Sequence, residues 1–134
     1  MTDDPSARRL RLAVLLSGGG RTLQNLQERI LAGTLPAEIV GVVSSRVDAY
    51  GVERARRLGL SAHVVPRKAH PDVESFSRAV WATVDPWRPD LVVLAGFLCM
   101  IRIPPAYAGR VLNIHPALLT AFGGKGFYGD RVHR

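Results

Sequence analysis

The chain has 134 residues, enough for one domain with a core of its own, and its 47% apolar and 22% charged residues match a globular protein rather than a disordered or fibrous one. No stretch approaches the roughly 18 consecutive apolar residues of a membrane span, and MTDDPSARRLRL opens with acids, not with a secretory core, so a cytoplasmic location without a membrane partner is expected. The single cysteine, Cys99, excludes an intrachain disulfide framework and a zinc site built on cysteines, and the net charge of +7 is spread over scattered arginines without the aromatic interleaving that stacks bases, so no nucleic acid partner is expected.

Residues 1–9 read as a tail and 10–134 as one domain. The apolar run 10–17 predicts a first strand, ended by three glycines. Thr22 is placed to cap a helix whose apolar face is Leu23, Leu26, Ile30 and Leu31, and Gly33 stops it. Residues 37–45 predict the second strand, 50–59 a helix closed by Gly59, and 61–66 a third strand closed by a proline. A helix over 72–84 carries Val73, Phe76, Val80 and Trp81 on one side. Strand four, 90–96, is the most apolar. Pro104 and Pro105 start a short helical turn, and 109–116 holds the fifth strand. A glycine-rich loop follows, and then DRVHR, the opening of a further helix.

Strands that alternate with helices and are apolar on both faces predict an α/β fold: a doubly wound parallel sheet covered by helices on each side. Ligands of such sheets sit at the carboxyl ends of the strands. Three places there carry chemistry. After strand one, SGGGRTL sets the amides of Gly20, Arg21 and Thr22 at a helix start, where partial positive charge favours an anion; the plain alternative is a tight turn. The glycine spacing fits neither a dinucleotide fingerprint nor a P-loop, which points to a phosphomonoester. After strand four, the apolar run AGFLCMIRIPP either lines a pocket for a flat ligand or simply packs. On strand five, Asn113 and His115 stand two apart, so their side chains share one face. A histidine moves protons near neutral pH and an asparagine amide binds an oxyanion; together they suit acyl-type transfer through a tetrahedral intermediate. His63, His70 and His133 lack such partners and read as structural or solvent-facing.

LAVLLSGGGRTLQNL, DLVVLAGF and GRVLNIHPALL together resemble the phosphoribosylglycinamide formyltransferases, the folate-dependent glycinamide ribonucleotide transformylases of purine synthesis. The resemblance runs over roughly residues 10–134. It implies a Rossmann-like formyltransferase fold and transfer of a formyl group from the co-substrate 10-formyltetrahydrofolate to the amine of glycinamide ribonucleotide, with no metal. It further implies that Gly20, Arg21 and Thr22 hold the substrate phosphate. Leu98, Cys99, Met100 and Ile101 would meet the pterin, partly through backbone. Asn113 would bind the folate and steady the oxyanion, and His115 would donate and shuttle the proton.

The sequence departs from the family pattern at Thr120, where a proline is common, and at Val73, where relatives carry a folate-contacting arginine. The family also continues past this point with more strands and an aspartate partner of the histidine. The chain therefore reads as an N-terminal portion, a fragment or truncated product, with an exposed sheet edge and with activity of these residues alone in question. Other folate enzymes that share the N-I-H-P motif, methionyl-tRNA formyltransferase and formyltetrahydrofolate deformylase, are the near alternatives. A non-catalytic phosphate- or nucleotide-binding module is the distant one. A nicotinamide-binding domain is disfavoured, because VVSSR closes strand two without an acid.

Overall fold

The computed structural model describes residues 9–114. Five parallel strands form one sheet: β1 (Leu10–Leu16), β2 (Ala37–Ser44), β3 (Ala62–Val64), β4 (Leu91–Ala95) and β5 (Val111–Ile114). Three helices connect them: α1 (Arg21–Leu31), α2 (Tyr50–Arg57) and α3 (Val73–Val84). The strand order is β3-β2-β1-β4-β5. The predicted doubly wound α/β architecture is observed, with its elements in the predicted order. No helix among the described residues is long and apolar enough to cross a membrane.

Alternation along β1 builds two cores. Leu12, Val14 and Leu16 face α1 and α2, where they meet Leu23, Ile30 and Ala55. Ala13 and Leu15 face α3, where they meet Phe76, Val80, Trp81 and Val84. Both faces of β1 are therefore dry, which is why its sequence shows no polar alternation.

The structure departs from the sequence reading at β3, at Thr22 and at Leu31. β3 is shorter than 61–66, although Val65 still donates its N–H to Ser44 O. Thr22 does not cap α1. The cap position is Gly20, in the left-handed region at φ 81, and Thr22 lies buried in the first turn. Leu31 leaves the apolar face and is 74% exposed, because Ile30 already points at the sheet and the next residue turns about 100° away. Gly33 and Gly59 follow their helices at positive φ, as expected of helix-ending glycines.

The register between β1 and β2 shifts by one residue between Leu12 and Ala13. Leu12 pairs with Ile39 but Ala13 pairs with Gly41. This bulge turns Val42 to the α1/α2 core and Val43 to the α3 core. It also turns Gly41 toward the Trp87 ring. A Cβ there would stand 2.6 Å from three ring carbons. Gly41→Ala should lower the unfolding free energy by about 1–3 kcal/mol, the usual cost of overpacking, read from the urea midpoint. An added Trp87→Leu change should recover part of the loss.

Tyr107 closes the α3 core. Its ring stacks on Trp81 at 4.5 Å, and its hydroxyl donates to Asp85 Oδ1 at 2.8 Å. Burial, then the Asp85 hydrogen bond and charge, push the phenol up to about 12 from 10.0. The neutral phenol is the form that the fold favours. Its stabilisation is complete below pH 10 and is lost as pH rises toward 12. Stability of the wild type should therefore fall more steeply across that window than stability of Tyr107→Phe. Equal slopes would contradict this account.

Candidate active site

The chain leaves β1 to one side to make β2 and β3, then crosses to the other side to make β4 and β5. The carboxyl ends of β1 and β4 are thus the switch point, where an open α/β sheet forms a crevice. Two of the three predicted places lie on that crevice.

Gly18, Gly19 and Gly20 leave β1 and enter α1. Gly20 must be glycine. Its φ is positive, and a Cβ would stand 2.8 Å from Gly51 Cα. The amides of Gly20, Arg21 and Thr22 have no backbone acceptor among the described residues. They open an 11-residue helix with no acid in its first turn, so their donors and the helix dipole are free for an anion.

After β4, Gly96 takes a positive φ and the chain runs out along the crevice. One buried hydroxyl joins this run to the glycine loop. Ser17 Oγ accepts from the Leu98 amide at 2.9 Å and is hydrogen-bonded to Ser45 Oγ at 2.7 Å, while Ser17 N donates to Gly96 O. At the far end, Arg102 N donates to Ser77 Oγ, and Trp81 Nε1 donates to Arg102 O. With both ends pinned, the segment alternates. Cys99 and Ile101 pack against the α3 core, whereas Leu98 and Met100 are 80% and 76% exposed. The four predicted folate contacts therefore separate into two that pack and two that offer apolar surface.

Asn113 pairs with Leu94, which pairs with Leu15, so it faces the α3 side of the sheet. It is half-buried, and its side chain has no hydrogen-bond partner among the described residues. His115 lies outside the described residues, as does His133. His63 is exposed beside Trp87, and His70 packs edge-on against Phe76.

A cavity of about 540 Å³ lies on the α3 side of the crevice; Leu98 and Cys99 of the predicted apolar run line it, and sequence reasoning missed its basic wall. Ser17, Ser45, Leu98, Arg46, Arg67 and Lys68 are among its walls. Arg46 is held by Asp48 at 3.1 Å, and Arg67 donates to His70 O at 2.9 Å. Its cations come from the turns after β2 and β3, whose sequence reads only as polar loop.

A family model described as formyl transferase matches residues 10–131. The chain belongs to the formyl transferase family. It is 38% identical over 130 residues to a chloroplastic phosphoribosylglycinamide formyltransferase of Arabidopsis thaliana, covering 95% of this chain and 44% of the relative. With the phosphoribosylglycinamide formyltransferase of Escherichia coli K12 it shares 37% identity over 119 residues, covering 86% of this chain and 55% of the relative. The solved phosphoribosylglycinamide formyltransferase of Brucella melitensis superimposes with a TM-score of 0.76 at 34% identity, over 94% of this chain and 67% of that one. The chain thus spans about half the length of the curated relatives it matches. In this member of the family the glycine loop, the apolar run and Asn113 all stand toward the carboxyl ends of adjacent strands.

Proposed function

We propose that this formyl transferase moves the formyl group of 10-formyltetrahydrofolate to the amine of glycinamide ribonucleotide, a step of purine synthesis. The observation that carries the reading is the joined pair of surfaces at the switch point. Helix-start amides with no backbone acceptor among the described residues, which suit a phosphomonoester, are tied through Ser17 to an exposed apolar run, which suits a flat pterin. The relatives' name, phosphoribosylglycinamide formyltransferase, agrees with a phosphorylated acceptor of a formyl group.

In this reading the amides of Gly20, Arg21 and Thr22, with the Arg21 guanidinium, hold the substrate phosphate. Leu98 and Met100 cover the pterin, while Cys99 and Ile101 contribute backbone and hold the run in place. The co-substrate fits the residues present: beyond its apolar rings a folate carries glutamate carboxylates, and Arg46, Arg67 and Lys68 line the cavity next to Leu98. Attack of the substrate amine on the formyl carbon puts negative charge on the formyl oxygen. The Asn113 amide donates to that oxygen. His115 takes the amine proton and delivers it to the folate nitrogen, and the tetrahedral intermediate then collapses: the C–N bond to the folate breaks after the new C–N bond has formed, and the formyl carbonyl is restored.

The protein as its cells make it should convert the two substrates to formylglycinamide ribonucleotide and tetrahydrofolate in equal amounts. Release of free formate without formylated amine would mean a hydrolase and would contradict the proposal.

A further inference from the structure

We infer that Arg54 of α2 is a positioning residue that holds the glycine loop in its phosphate-accepting shape. The inference rests on the phosphate role proposed above. A loop of three glycines has more conformational freedom to lose than any other, so something must select one shape. Packing does so only at Gly20. At Gly18 and Gly19 an added Cβ would meet nothing within 4 Å. What fixes these two residues is their carbonyls, and both are held by α2.

The Gly51 amide donates to Gly18 O at 2.9 Å. Arg54 Nε donates to Gly19 O at 2.9 Å, and Arg54 Nη1 donates to Gln24 Oε1, one turn into α1. The guanidinium itself lies 5.0 Å above the Tyr50 ring. One planar side chain therefore bridges the loop to the helix that the loop begins. Its fork suits this task, because two donors diverge to two acceptors in one plane. The consequence is electrostatic as well as geometric. Two consecutive carbonyl dipoles are turned onto α2 instead of toward an incoming anion, and the next three amides have no backbone acceptor among the described residues. The sequence hides this, since Arg54 is 35 residues from Gly19 and reads as one more basic residue on a surface helix.

The test is equilibrium binding of glycinamide ribonucleotide, its dephosphorylated form and tetrahydrofolate to the wild type, Arg54→Ala, Arg54→Lys and Gln24→Met. The wild type should prefer the phosphorylated ligand. Arg54→Ala should lose about ten- to hundredfold in affinity for it, as expected for displaced binding groups, with tetrahydrofolate affinity unchanged. Arg54→Lys keeps the charge but cannot bridge both acceptors, so it should not restore binding. Gln24→Met leaves α2 intact and should show a smaller loss of the same kind; it decides the matter if Arg54→Ala fails to fold. Unchanged phosphate preference in Arg54→Ala, or full recovery in Arg54→Lys, would overturn the inference alone. A wild type without phosphate preference would overturn the phosphate role and this inference with it.

Discussion

Replacing Asn113 with alanine should lower kcat for formyl transfer by about 10²–10³-fold, the usual cost of removing one oxyanion donor. KM for glycinamide ribonucleotide should change little, because the oxyanion interaction forms mainly when charge appears on the formyl oxygen. Stability should barely change. Asn113 is half-buried, and no described group depends on its side chain for a hydrogen bond. A structural role predicts the reverse pattern, a large loss of stability with kcat preserved in the molecules that remain folded. Steady-state kinetics and a denaturation curve on the same sample separate the two.

Gly20→Ala should abolish tight binding of the phosphorylated substrate and destabilise the fold. A side chain at φ 81 costs about 1–2 kcal/mol for the left-handed backbone alone. The added Cβ would also press on Gly51 Cα at 2.8 Å, and that contact is backbone, which cannot rotate away. Gly20 and Gly51 would have to separate, and the Gly51 hydrogen bond to Gly18 O would go with them. Gly18→Ala is the control, because its Cβ would enter open space. Calorimetric titration should show the Gly20 variant losing more than tenfold in affinity, at the scale that misplaced binding groups cost, and the Gly18 variant losing little. Equal losses in both would mean that the loop is not held in the shape described.

The architecture was legible because each strand is a short apolar run, most of them stopped by glycine or proline, and each helix has a face. The positions of Gly20 to Thr22 after β1 and of Asn113 near the end of β5 were legible because each adjoins or lies within a short apolar run that reads as a strand. Thr22 misled because a threonine before an apolar run reads as a cap. Here the cap is a glycine whose neighbours' carbonyls are taken by a distant helix. The bulge opposite Leu12 was hidden by a strand that is apolar on both faces, so a one-residue slip leaves no polar trace. Ser17 and Ser45 read as the last residues of two strands, and only the sheet brings their hydroxyls together. Leu98 to Ile101 gave one undivided apolar run; its alternation into packed and exposed members depends on the anchors at Ser17 and Ser77.

The central claim is that the phosphorylated substrate enters at the β1–β4 switch point with its phosphate on the start of α1. A crystal structure of the protein with glycinamide ribonucleotide bound tests it directly. The account predicts phosphate oxygens within hydrogen-bond distance of the Gly20, Arg21 and Thr22 amides and the substrate amine turned toward Asn113. A phosphate seated elsewhere, for example against Arg46, Arg67 and Lys68 in the neighbouring cavity, would contradict it.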